Sequence, residues 1–476
     1  MSTPRGAVGR TTALAAAVAV VLLVSGCTSP GEPSAEPTAA PTGVGNCPVE
    51  RAEPDPARPV VELAFSLSDD RRTVTGTETV RFTADLPTDE LVFRLVPNAP
   101  DAAALGNRLT VDQVRGADVG AGGYESAQAA APGGLYVVAL DDPLVAGEST
   151  EVTLDFTLEL GGAGFERVGT AQDVTWFGSG APLLAWEPGV GWARDPFVAV
   201  LGETATSPVS DTTITVDAPA GLTVLMTGDQ EEPTRARVGR RTWRSHEPVA
   251  RDVSVAVGAF RTAETEVAGV RVTTGVLPGS GKDPARLARA TGEAIELLVD
   301  RFGPFPYATL TVPWLPDLGG GIEYPSSVLM ASDQDVVLVH EVAHMWFYGM
   351  VGDSQFRDPW LDEAFAGYAE SVTAEPPAGR VARAFGLEGD VGASMAEHAD
   401  DRSYVQAVYV KGAAMLLTAR EAAGADAFDA ALRCYVDATA WQIATPADVA
   451  AALADLPAAL AVLAAAGALD PADLPR

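Results

Sequence analysis

The hydrophobic period of this 476-residue chain changes about halfway along, and that change constrains the fold more than any other feature. From about Arg58 to Phe260 apolar residues alternate with polar ones. "VELAFSL" places Val61, Leu63, Phe65 and Leu67 on one side. "EVTLDFTLEL" does the same with Val152, Leu154, Phe156, Leu158 and Leu160, and "DVSVAVGAF" with Val253, Val255 and Val257. Successive side chains of a strand point to opposite faces, so a period of two predicts strands with one buried face, punctuated here by Gly, Pro and Asp clusters. Near Asp283 the period lengthens to that of a helix. "DPARLARATGEAIELLVDRFG" carries Asp283 as N-cap, Pro284 in the first turn and Gly303 past the end. Further helical patterns follow to the C-terminus. The expected fold class is α+β and multidomain: a mainly antiparallel β domain over 58–262, then a mainly helical domain over 263–476 that opens with a few strands.

Residues 1–26 read as a lipoprotein signal peptide. Arg5 and Arg10 precede an apolar run, Ala13–Val24, too short for an ordinary membrane span. "VSGC" (Val24–Cys27) resembles a bacterial lipobox, in which small residues precede a cysteine that is lipidated and becomes the new N-terminus. An ordinary signal peptide or an uncleaved anchor is the alternative. Residues 27–57, Pro-rich through 28–48, read as a flexible tether. A formal net charge of −32 argues against nucleic acid and against electrostatic docking on anionic lipid. The membrane is therefore expected as a partner through lipidated Cys27, with the protein on the extracytoplasmic face. Cys47 and Cys434 would then remain, either as a disulfide or as two free thiols, and neither has metal-ligand spacing.

Two of only four histidines, His340 and His344, sit four residues apart in "HEVAH". On a helix expected over about Asp333–Met350, four residues turn about 400°, so both rings leave one face. That spacing lets both imidazoles reach one ion at the usual Zn–N distance. Glu341 flanks the face, placed to touch water at the metal without being a ligand. Two core histidines satisfied by hydrogen bonds would be the bland alternative. The surrounding "VVLVHEVAHMWF" is strongly apolar, however, and buried charge is costly unless paired or metal-bound. A catalytic zinc usually takes three protein ligands. Glu363 is the expected third, 18 residues past the motif, on a second helix ("WLDEAFAGYAE") whose small residues suit close packing. Glu370 shares the Glu363 face and could hydrogen-bond a ligating histidine. His246 and His398 have no partner at ligand spacing and read as surface or hydrogen-bonded residues.

H-E-x-x-H, 18 further residues and a glutamate set in W-L-x-E-x-F-A resemble the aminopeptidase N family of gluzincin zinc metallopeptidases. "FGPFPYATLTVPWLPDLGGGIEYPS" resembles the stretch leading to the family's Gly-x-Met-Glu-Asn/Tyr exopeptidase signature, and "YVKGAAML" its later Tyr-x-Lys-Gly-Ala segment. The resemblance implies a thermolysin-like catalytic domain binding one Zn2+ through His340, His344 and Glu363. It implies Glu341 as general base, Tyr409 as stabiliser of the oxyanion, and Gly320, Gly321 and Glu323 as binders of a peptide with a free N-terminus. Ile322 stands where the family usually has Met, and Asp362 where Asn is common. Many members continue into a long helical domain, whereas this sequence stops at Arg476 and is expected to be a short form. The implied function is a zinc aminopeptidase. The competing readings are a zinc endopeptidase and a catalytically idle lipoprotein that binds a partner through its β domain.

Overall fold

Val60–Leu67 behaves as its period predicts: Val61, Leu63, Phe65 and Leu67 are buried, while Glu62 and Ala64 are exposed. It pairs antiparallel with Thr73–Thr83 on one edge and parallel with Ser210–Pro219 on the other, inside an eight-stranded sheet. Ser149–Glu159 carries Val152, Leu154, Phe156 and Leu158 into the same core. Gly76 lies opposite Phe156, and a Cβ there would fall 2.1 Å from the ring's Cζ, so the bare strand makes room for the ring. Two four-stranded sheets and a two-stranded one complete this half. In this computed structural model the described residues are 50–475, apart from 163, 165, 166, 203, 204, 317, 319 and 375. The expected signal peptide, lipobox, Cys47 and most of the tether lie outside them.

Ser254–Gly258 departs from a simple one-sided strand, since all five residues are buried. Its sheet is covered on both faces. Val255 and Val257 join the β core, whereas Ala256 joins a smaller cluster with Leu315, Leu318, Ile322, Tyr324 and Leu329 of the second half. Ser254 Oγ donates to Ser327 Oγ at 2.8 Å across this junction. Gly178 lies against Tyr324, whose hydroxyl would sit 2.1 Å from any Cβ added there.

The second half opens with a five-stranded sheet in the spatial order Arg261–Val267, Val270–Val276, Thr309–Pro313, Ser327–Met330, Gly321–Tyr324. Its first strand begins at Arg261, just before the expected division at 262/263. Gly321–Tyr324 runs antiparallel at the edge. Helix Pro284–Phe302 forms as its capping residues predict. The Asp283 side chain accepts from Ala285 N at 3.1 Å, and Gly303, with φ 93°, ends the helix. The remaining helices pack around a core that includes Trp346, Trp360, Phe365 and Tyr435.

The helix carrying the histidine motif is shorter than expected, Asp335–Ala343 instead of reaching Met350. Beyond it the hydrogen bonds slip to i→i−5: Gly349 N to His344 O (2.8 Å), Met350 N to Met345 O (3.1 Å) and Val351 N to Trp346 O (2.9 Å). Met345, Trp346, Phe347 and Met350 are all buried around this wider turn. From residue 50 onward the expected tether lies against the helical half. Arg51 Nε donates to Asp437 Oδ1 and Ala52 N to the Asp437 carbonyl, both at 2.9 Å. Cys434, one turn earlier on that helix, is disulfide-bonded. Cys47, its expected partner, lies outside the described residues.

Candidate metal centre and active site

Three elements bring the donors together. The motif helix supplies His340 and His344, and helix Trp360–Ala374 supplies Glu363. The carboxylate Oε2 of Glu363 lies 3.2 Å from His340 Nε2 and 3.6 Å from His344 Nε2. The small residues of the second helix allow a third element close. A Cβ on Gly412 would meet Ala364 Cβ at 2.5 Å, so the two helices touch nearly backbone to backbone. That approach positions Tyr409, in the π-helical segment Val405–Lys411, with its hydroxyl donating to Glu363 Oε1. The Tyr409 ring also stacks on His340, with centroids 6.0 Å apart.

The outer nitrogens of both imidazoles are held by carboxylates. Glu370 Oε2 lies 3.6 Å from His340 Nδ1, as the shared helix face predicts. Asp362 Oδ1 hydrogen-bonds His344 Nδ1, and Gln355 Nε2 donates to Asp362 Oδ2 at 3.2 Å. Such partners fix ring orientation and turn both Nε2 atoms inward. Sequence reading marked Asp362 only as a departure from Asn and missed this role. Burial opposes charge on His340, but the neighbouring carboxylates of Glu363 and Glu370 outweigh it and raise its pKa to about 10. Burial outweighs the two histidines at Glu341 and lifts its pKa to about 8, with Glu323 adding to the rise.

Glu341 reaches over the neighbouring edge strand. A Cβ on Gly321 would sit 2.3 Å from the Glu341 Cδ, so only glycine leaves the carboxylate its place. Oε2 of Glu341 is buried with no hydrogen-bond partner among the described residues, and so is Oε1 of Glu323. Donor atoms of Glu323, Glu341 and His344 lie within 4.8 Å of one another. Arg167 of the β half approaches Glu323, with Nη2 3.7 Å from Oε1, and stands over the Tyr324 ring. No local sequence signal marks Arg167, which lies 156 positions before Glu323. Every predicted site residue lines one cleft of about 1410 Å³, counting its open mouth, including Gly320, Gly321, Glu323, His340, Glu341, His344, Glu363 and Tyr409. His246 instead bonds Asp211 at 2.8 Å, and His398 packs on Tyr404.

The donor set fits zinc. Two imidazole nitrogens and one carboxylate are typical ligands of a catalytic Zn2+. Tetrahedral ligands at about 2.0–2.1 Å from the ion stand roughly 3.3–3.5 Å from one another. The carboxylate-to-imidazole separations of 3.2 and 3.6 Å bracket that spacing. Buried Glu323, Glu341, Asp362, Glu363 and Glu370 crowd negative charge around the same point, which a dication offsets.

An HExxH helix, a glutamate on the next helix and an edge strand running past both reproduce, on a two-domain fold, the layout that the gluzincin resemblance implies. Residues 323–465 match the Peptidase family M1 domain, in line with the resemblance to the aminopeptidase N-like gluzincins. It is 27% identical over 239 residues to aminopeptidase M1-A of Oryza sativa subsp. japonica, a match covering 42% of this chain and 27% of that protein. It is 26% identical over 184 residues to aminopeptidase N of Streptomyces lividans, covering 33% of this chain and 21% of the relative. The chain thus spans about a quarter of the length of these curated relatives. An M1 zinc metallopeptidase structure from Deinococcus radiodurans superposes with a TM-score of 0.64 at 19% identity, covering 91% of this chain and 100% of the other. Its two-domain layout is the fold described above.

Proposed function

We propose that this chain is a zinc-dependent aminopeptidase that removes N-terminal residues from peptides. One observation carries the reading: beside the His340, His344 and Glu363 donors, the edge strand presents Glu323 with a buried oxygen that accepts no hydrogen bond among the described residues. A substrate's α-ammonium needs such an anion where water is displaced. The aminopeptidase relatives support this chemistry, and the neighbouring structure with a bound Tyr-Ser-Ala substrate supports peptides as the substrate class.

Zinc in this donor set would supply Lewis acidity, which acidifies water and polarises a carbonyl oxygen. Glu323 binds the ammonium and sets the first peptide bond beside the donors. Glu341 takes the proton of the attacking water and hands it to the leaving nitrogen as the C–N bond breaks. Burial holds the Tyr409 hydroxyl well above its ordinary pKa, so it remains a hydrogen-bond donor. Turned from Glu363 toward the substrate, it stabilises the developing oxyanion.

Metal analysis with turnover of aminoacyl-arylamides and N-acetylated peptides tests this. One zinc per chain is expected, with activity lost to a strong chelator, restored by zinc, and confined to free-amine substrates. Equal rates on acetylated peptides would instead favour an endopeptidase, and a metal-free, inactive protein an idle binding lipoprotein.

Anchoring of the chain on the extracytoplasmic face through lipidated Cys27 belongs to the same proposal. The "VSGC" motif and the Pro-rich run after it support this. Among the described residues no helix is long and apolar enough to cross a membrane. Cys27→Ala should abolish labelling by a fatty-acid probe, and unchanged labelling would exclude the site.

A further inference from the structure

The cleft is electrically asymmetric along its length. Glu323 groups with Glu341 and His344 at one end. The helix carrying Glu363 runs away from that end, because its Asp362 meets His344 whereas its Glu370 meets His340. Seven residues separate Glu363 from Glu370, about 10 Å along the axis. Beyond that helix the next one, Ala378–Phe385, begins, and Arg380 in its first turn lines the cleft. Among the described residues Arg380 is the only Lys or Arg on the cleft wall, and it is half-buried. Among the described residues no side-chain hydrogen bond or ion pair engages it, although the chain has 64 Asp and Glu against 32 Lys and Arg. The wall near it is apolar, formed by Val381, Ala384, Ala413 and Leu417.

We infer that Arg380 is the receptor for a substrate carboxylate, making this a cleft for short peptides held by opposite charges at both ends. The inference rests on the aminopeptidase reading for its direction, with ammonium at Glu323 and the scissile bond at the metal donors. An unpaired guanidinium beside an apolar wall is a ready partner for a carboxylate, which it can grip with two N–H groups. Extended peptide advances about 3.4 Å per residue. Arg380 lies on the cleft wall past the far end of the Glu363 helix, so the preferred substrates are short peptides with apolar residues after the scissile bond. The carboxylate comes from the peptide C-terminus or from an acidic side chain at the same distance.

The test compares Leu-Ala-Phe with its C-terminal amide, using the ratio of kcat/KM so that the active fraction of each preparation cancels. The wild type should favour the acid by about tenfold to a hundredfold, the worth of one charge-assisted hydrogen bond. Arg380→Gln should bring the ratio near one, and Arg380→Lys should recover part of it. Leu-Ala-Glu amide matching the free acid, against a weak Leu-Ala-Gln amide, would assign the anion to a side chain with Arg380 still its receptor. A wild-type ratio near one, or a large ratio that persists in Arg380→Gln, overturns the inference. If neither peptide is cleaved, the aminopeptidase reading fails. Calorimetric titration of zinc-loaded protein with the same pair then decides Arg380 separately: tighter binding of the acid upholds its role, and equal binding removes it.

Discussion

The two halves of the molecule use charge in opposite ways. In the β half, most ion pairs lie on the outer faces of the strands, with Arg240 and Asp217 a more buried exception. Arg108 and Glu159 exchange two hydrogen bonds, of 3.0 and 2.8 Å, yet their side chains remain 52% and 48% exposed. Such pairs contribute little to stability because water and salt screen them. In the helical half, Glu341, His344, Asp362 and Glu363 are each under 10% exposed and crowd together. Burying them costs stability unless they pair or hold a cation. The β half therefore draws its stability from an alternating apolar core. The helical half gives some of its own up to keep reactive groups dry and close together.

The largest effect that would sharpen this contrast is at the reacting group. Glu341→Gln is expected to lower kcat by roughly 10²–10⁴-fold while zinc content stays at one per chain. A variant that keeps more than about a tenth of wild-type turnover would remove Glu341 from the role of base. Asp362→Ala should act through His344, weakening zinc affinity by roughly 10–100-fold, as loss of a ligand's hydrogen-bond partner typically does. Competition with a chelator of known affinity measures this, and an unchanged affinity would make Asp362 a bystander. The smallest effect belongs to the β half. Arg108→Ala should cost no more than about 1 kcal/mol in a denaturant titration and leave turnover unaltered. A larger loss would break the contrast.

Much of this division is legible in the sequence, and the illegible parts have a common cause. Period-two runs such as Val60–Leu67 and the caps around Pro284–Phe302 report local geometry, and both form as read. The His340, His344 and Glu363 set is legible because two helices bring close residues together, and Glu370 follows from sharing a face with Glu363. Partners from distant elements leave no periodic trace. The parallel pairing of Val60–Leu67 with Ser210–Pro219, and the approach of Arg167 to Glu323, depend on how whole sheets dock. The early end of the motif helix was hidden for another reason. "MWFYGM" is apolar on every side, so its composition cannot say where a straight helix yields to a wider turn.

Gly178 and Ser254 belong by architecture to the β half, yet they touch Tyr324 and Ser327, on either side of the bend that follows Glu323. A methyl group added at Gly178 would push on Tyr324, and with it on the adjoining Glu323, the residue proposed to read the end of a substrate. A change there would surface as altered selectivity before it surfaced as unfolding. The first half cannot be exchanged for another sheet of the same outline unless those two contacts travel with it.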